Sequence, residues 1–181
     1  MGDFPTLIEE DFRQFDGAMK DLLSLSGADF AILIEKAGYR IHVAGNAVGH
    51  DTDTLATLAA NSFAATNFLT GLLQETHFSG MYQQGQRVST LILNIDESCL
   101  LLVVFQALRS VGAVKYFAHD TLKRLAEQLR RARERAPERQ VDLASLNPHD
   151  IGDLFSRSPH SQPEAMPGTG ALPPGTLPGT P

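Results

Sequence analysis

Twenty consecutive residues between Thr54 and Glu75, LATLAANSFAATNFLTGLLQ, carry no charged side chain. Their apolar and small residues recur at helical spacing, and a helix without charge on any side is not left in water on any side. One stripe, Leu55, Leu58, Ala59, Ser62, Ala65, Thr66, Leu69, Leu72 and Leu73, reads as the face turned to the protein's own core. The other, Ala56, Ala60, Phe63, Ala64, Asn67, Phe68 and Gly71, stands where a one-sided helix shows Lys and Glu. Small residues beside two phenylalanines suit a second backbone approaching closely with the rings as anchors. Leaving either ring bare forgoes roughly 1.5–3 kcal/mol. The plainer alternative is a helix wholly buried within one domain. A transmembrane span is long enough at about 20 residues, but Thr57, Asn61, Ser62, Thr66, Asn67 and Thr70 are too many polar groups for lipid.

A chain of 181 residues with 43% hydrophobic content suits one ordinary domain plus tails and leaves no room for a second catalytic domain. Its net charge of −6 argues against a general nucleic-acid binder, and the one cysteine, Cys99, excludes an internal disulfide framework. The cytosol is the expected compartment. MGDFPTLIEEDF lacks a basic region followed by an apolar core, so it is not a secretory signal. It meets the loose myristoylation pattern, but Pro5 and the missing basic cluster argue against direct membrane anchoring.

Around the uncharged helix the pattern alternates between periods. Residues 6–26 predict an amphipathic helix with Leu7, Ile8, Phe12, Phe15, Met19, Leu22 and Leu23 inside, ended by Gly27. ADFAILIE, a turn over Lys36–Tyr39, and RIHVAG predict a hairpin. Asp51 or Thr52 caps the uncharged helix. Beyond it, MYQQGQ is polar enough to be an edge strand. VSTLILNI and CLLLVVF follow as strands joined at Asp96–Ser98, the last an apolar run fit for burial. From Ser110 a long helix runs to about Ala136, with Val114, Phe117, Leu122, Leu125 and Leu129 inside, and Pro137 stops it.

The expected fold is therefore α+β, in the order α-β-β-α-β-β-β-α, with three helices flanking a five-stranded antiparallel sheet. The polar edge strand is a natural place for a second copy to pair. Such a homodimer interface places Gln83, Gln84 and Gly85 at the strand, with Ala56 and Phe63 on adjoining helices.

The domain is expected over residues 6–136, followed by a linker at 137–147 and a short amphipathic helix at 148–157. In that helix Asn147 is the N-cap, Pro148 holds the first position, and Ile151, Leu154 and Phe155 share one face. Isolated helices below ~12–15 residues are marginal in water, so this one needs a partner's groove. From Ser158 to Pro181, seven prolines, four glycines and three Pro-Gly-Thr repeats predict a disordered tail.

Catalytic signatures are missing. Gly45-Asn-Ala-Val-Gly49-His-Asp-Thr has neither the spacing nor the lysine of a phosphate loop, and no Gly-x-Ser-x-Gly turn occurs. The histidines at 42, 50, 77, 119, 149 and 160 fall on separate elements without metal-ligand spacing, so no metal or cofactor is expected. Cys99 opens an apolar strand and reads as a small buried hydrophobe. Lys123–Arg135 holds six basic and two acidic residues, which suits a solvated helix face. Arg40, Arg87 and Arg109 sit near strand ends or turns, where an arginine is able to reach a partner's phosphate.

GADFAILIEKAGYRIHVAG, DTDTLATLAANSFAATNFLTGLL, the Gln84-Gly85 strand and CLLLVVFQALRSVGAVK together resemble the roadblock/LC7 family from about Phe12 to Leu129. SLNPHDIGDLFSR is similar to the acidic helix that follows the domain in the bacterial gliding-motility, or MglB, branch. The resemblance implies a profilin-like α/β/α sandwich and a homodimer with one continuous sheet, its two central helices side by side. It also implies a partner, a Ras-like small GTPase of the MglA type, on which the dimer acts as a GTPase-activating protein without inserting an arginine. The C-terminal helix, through Ile151, Leu154 and Phe155, is then expected to bind elsewhere on the GTPase and favour nucleotide exchange. Enrichment at a cell pole is compatible with that role. Phe68 departs from the small residue expected at its position.

The expected GTPase-binding face is Ala60, Ala64, Asn67, Phe68 and Gly71. On this reading the chain is a regulator without a catalytic site of its own. A scaffold or adaptor that leaves GTP hydrolysis unchanged is the alternative, and a small-molecule sensor has no polar cluster to orient a ligand.

Overall fold

Strands that are apolar at every position, such as FAILI and CLLLVVF, have to be covered on both faces, because successive side chains point to opposite sides. A computed structural model, which describes residues 4–75 and 78–135, shows that covering. The elements run α1 (Glu9–Ser26), β1 (Phe30–Glu35), β2 (Arg40–Gly45), α2 (Thr52–Leu72), β3 (Gly80–Gln84), β4 (Val88–Asn94), β5 (Cys99–Gln106) and α3 (Val111–Glu134). Every strand pairing is antiparallel, in the spatial order β2-β1-β5-β4-β3. The described residues belong to a compact unit, Met1–Pro137. The expected linker, the short helix with Ile151, Leu154 and Phe155, and the tail lie outside the described residues.

Alternation divides the core in two. Ala31, Leu33, Leu91, Leu93, Leu101, Val103 and Phe105 face α1 and α3, where Phe15, Met19, Leu22, Val114, Leu125 and Leu129 meet them. Phe30, Ile32, Ile34, Ile92, Leu100, Leu102 and Val104 face α2, which answers with Ala56, Ala59, Ala60 and Phe63. The result is the expected three-layer α/β/α sandwich. β3 is an edge strand, as its polarity predicts.

Several boundaries sharpen. α1 begins at Glu9 rather than residue 6, because the Asp11 carboxylate accepts a 2.8 Å hydrogen bond from the Ile8 N–H and so starts the helix there. Gly27 ends it in the left-handed conformation with φ 67°. Asp51 is the cap of α2, accepting from the Thr54 N–H at 3.0 Å. β3 stops at Gln84, so Gly85 lies in the turn and not in the strand. A Cβ there would collide with the Val88 carbonyl oxygen, which is why the turn takes glycine.

The basic end of α3 is absorbed by the fold. Arg124 pairs with Asp21, Arg133 with Asp96, and Arg130 and Arg131 with Glu127. Asp11 is wholly buried and accepts from Arg135 at 2.6 Å and from Gln128 at 2.7 Å, joining the start of α1 to the end of α3. Burial works against its charge, but the Arg135 guanidinium, the Ile8 N–H and the Gln128 amide outweigh burial and hold the carboxyl below its ordinary value of 3.8.

A depressed folded value means that the stabilisation is present above the ordinary carboxylate range and fades as pH falls through the lower folded value. Urea titrations of Asp11→Ala should show a loss of about 1.5–3 kcal/mol near neutrality. The gap from the parent chain should narrow below roughly pH 4. A gap that stays constant into acid would mean that packing, not charge, holds this joint.

Candidate partner-binding face on the central helix

The face of the sheet under α2 is bulky, so the helix side pressed against it has to be small. Ala56, Ala59 and Ala60 let the backbone settle close to Phe30, Ile32 and Leu102, and Phe63 closes the row with 5% exposure. This divides both stripes read from the sequence: Ala59 of the core stripe is buried with Leu55 packed beside it, but Ala56, Ala60 and Phe63 of the outer stripe are buried too. Leu58, Leu69, Leu72 and Leu73 are exposed instead of facing the core. Of the proposed site residues, Ala56 and Phe63 pack under their own helix rather than at a dimer interface, and Ala60, 3% exposed, meets a partner only as part of a cavity wall. Spacing alone does not distinguish two apolar sides of one helix. Volume complementarity with the sheet does.

Two contacts fix the N-terminal half of α2. Arg40 Nε donates to Asp53 at 2.7 Å, and the Thr57 hydroxyl donates to the Gly38 carbonyl at 3.2 Å. The last core contact is at Thr66, whose hydroxyl lies 3.8 Å from Met81 Sδ. Past it, Asn67, Phe68, Leu69, Gly71, Leu72 and Leu73 are all exposed, Phe68 by 72%. Ala64 and Ala65 are exposed as well. The outer side and final turns of α2 thus form an uncharged apolar surface, the kind that marks protein association sites. Among the described residues no helix is long and apolar enough to cross a membrane.

Beside this surface opens a cavity of about 200 Å³, lined by Ala64 and Asn67 of α2, the buried Ala60 and Phe63, and Lys36, Phe78 and Asn94. Of the residues assigned to the GTPase-binding face from the sequence, Ala60, Ala64 and Asn67 come together here. Phe68 and Gly71 lie on the exposed end of the helix. Lys36 and Asn94 escape sequence reasoning because they reach the cavity from the β1–β2 turn and the end of β4. Only the alternation in LILN, which puts Asn94 on the same sheet face as Ile92, hints at the second.

At the sheet edge Gln83 and Gln84 are exposed, Gln83 accepting from the Thr90 hydroxyl at 3.1 Å. A second, larger cavity of about 330 Å³ lies between α1 and α3, with Leu25 and Tyr116 exposed at its rim.

Of the other candidate groups, Arg40 and Cys99 are structurally engaged, while Arg87 and Arg109 are exposed. Burial pushes the Cys99 thiol up to about 12, so it stays protonated at neutral pH. The Arg109 guanidinium lies over Gly27, where a Cβ would come within 2.9 Å of it. Among the described residues no three His, Cys, Asp or Glu side chains gather as a metal site.

The Roadblock/LC7 domain model matches residues 15–105. Sequence comparison with curated proteins gives no match. Among solved structures, MglB of Myxococcus xanthus is 25% identical at a TM-score of 0.65, covering 70% of this chain and 96% of its own. The gliding protein MglB of Thermus thermophilus is 27% identical at 0.66, covering 72% and 99%. A structure described as MglB with tetrameric arrangement is 27% identical at 0.68, covering 73% and 99%.

Proposed function

The chain belongs to the roadblock/LC7 domain family, and on that premise we propose that it is a dimeric activator of a Ras-like small GTPase of the MglA type, without catalytic groups of its own. The observation that carries this reading is the uncharged outer surface of α2, with Phe68 bare beside Ala64 and Gly71. Similarity to MglB structures at 25–27% identity supports the choice of partner. Two copies joined along the β3 edge, through Gln83 and Gln84, set two such helices on one face. The tetrameric arrangement named for one neighbour is in keeping with association. Gly85 belongs to the turn that ends this edge.

A surface of this kind accelerates hydrolysis by binding one conformation of the GTPase more tightly than others. If the conformation held is the one that orients the attacking water, the rate rises with no group donated by the activator. Arg40 is tied to Asp53, in keeping with a mechanism that does not insert this arginine. Ile151, Leu154 and Phe155 supply a second contact on the GTPase that favours nucleotide exchange. Their linker raises the local concentration of one contact once the other is made.

The test is single-turnover GTP hydrolysis by the GTPase with and without this chain. Acceleration is expected, and binding that leaves the rate unchanged would make the chain an adaptor. Deleting residues 146–181 should reduce nucleotide exchange more than hydrolysis, as read by release of a fluorescent GDP analogue. An equal loss of both would mean a single site.

A further inference from the structure

The cavity beside α2 contains a cation without a counter-charge. Lys36 is anchored through its backbone, where its N–H donates to the Ser98 carbonyl at 2.7 Å, and its Nζ donates to the Asp96 carbonyl at 2.7 Å. No carboxylate lies within ion-pair distance of it among the described residues. Asp96, whose charge acts most strongly on Lys36, spends its carboxylate on Arg133 and on the Ser98 and Cys99 N–H groups. An ammonium has three donors, so two remain. Nζ stands 5.7 Å from the centroid of the Phe63 ring, half-withdrawn from water. Burial pulls its pKa below the ordinary lysine value, while the carboxylates of Asp96 and Glu97 work in the opposite direction.

Two amides share the walls. Among the described residues the side chains of Asn67 and Asn94 make no hydrogen bond, and the Asn94 side-chain oxygen is buried without a partner. A buried polar atom left in this state calls for an explanation. The two ends of an amide exchange places by rotation of the side chain. As placed, the Asn94 oxygen calls for a donor; turned about the side-chain bond, the amide offers its NH2 group instead, so a guest that accepts hydrogen bonds pairs with Lys36 directly and with the amides once they are turned.

We propose that this cavity is a receptor for a carboxylate, and that an acidic side chain of the bound GTPase fills it, with Lys36 as the residue that sets specificity. The identity of the donor protein rests on the proposed function above, whereas the carboxylate preference rests on the cavity alone. A basic side chain would face Lys36 across about 200 Å³ and be repelled. An apolar one would leave the ammonium and both amides unpaired. The carboxylate also explains how an otherwise apolar surface selects its partner, since one desolvated ion pair at the margin of an apolar contact penalises every partner lacking it.

Two experiments separate the parts. In the full-length labelled chain, sodium propionate should shift the Lys36 ε-methylene and the Asn67 and Asn94 side-chain amide NMR signals saturably. Sodium chloride at the same ionic strength should not, and Lys36→Gln should abolish the response. Propionamide shifting the same signals equally, or no saturable shift with propionate, would overturn the carboxylate receptor.

With a GTPase of the MglA type loaded with a nonhydrolysable GTP analogue, Lys36→Gln should weaken binding about tenfold or more at low salt and flatten its salt dependence. Unchanged affinity and salt dependence in Lys36→Gln would overturn the inference while the proposed function stands. Failure of the parent chain to bind the GTPase would overturn the proposed donor and the proposed function together, with the propionate result still deciding what the cavity binds.

Discussion

Ala64→Arg should abolish the acceleration of single-turnover GTP hydrolysis while leaving the thermal unfolding of the chain within about 0.5 kcal/mol of the parent, the usual range for a surface substitution. Ala64 lies on the exposed side of α2 at the rim of the cavity, so an arginine has open solvent to occupy and no core to disturb. In a complex the same side chain stands between two surfaces that have to meet closely. Its charge does not oppose a partner carboxylate at Lys36, so the loss measures the bulk of the side chain at the contact. The loss should appear in affinity, so raising the activator concentration should recover part of the rate. Full stimulation by Ala64→Arg at the parent's concentration would remove this side of α2 from the site.

Periodicity is sufficient for the architecture because every element but α2 shows in its pattern which of its faces are covered. The hairpin over residues 28–45 appears with its turn and both strands where alternation puts them, since Phe30 to Ile34 are apolar on both faces and demand two covering layers. The edge position of β3 is legible in MYQQ for the complementary reason that polar side chains are tolerated where one side meets water. The orientation of α2 is not legible, because it is apolar all round. What decides it is the bulk of Ile32, Leu100 and Leu102 on the opposing sheet, and residues distant in sequence do not show in a helical wheel. Hence Leu58 and Leu69 look like core and are not, while Ala56 and Ala60 look like interface and are core. The cavity is hidden for the same reason. Lys36 sits in a turn whose sequence suggests only a turn, and its environment is made by Phe63, Phe78 and Asn94 from three other segments.

Phe63→Ala and Phe68→Ala make the sharpest pair of substitutions in the molecule, the same side chain removed from two places on one helix. Phe63 is 5% exposed, its ring 4.9 Å from that of Phe78 and close beneath Lys36. Truncating it removes the largest side chain that α2 sends into the core. The alanines around it cannot expand to refill the space. Denaturant unfolding should report a loss of about 3–5 kcal/mol, the range for a buried phenylalanine.

Phe68 is 72% exposed and contributes little to the isolated fold, so Phe68→Ala should leave unfolding within about 0.5 kcal/mol of the parent. Its effect should instead fall on association, where loss of an aromatic anchor of this kind costs about 2 kcal/mol or more, roughly thirtyfold in affinity for the GTPase. The two readouts therefore cross: one variant is unstable and the other is stable but binds weakly. A Phe68→Ala chain that retains full affinity would show that the bare ring at the end of α2 is not the anchor, whatever the rest of the helix contacts. A stable Phe63→Ala chain would mean that α2 is held chiefly by Arg40–Asp53 and Thr57–Gly38, and that its alanine row merely rests on the sheet.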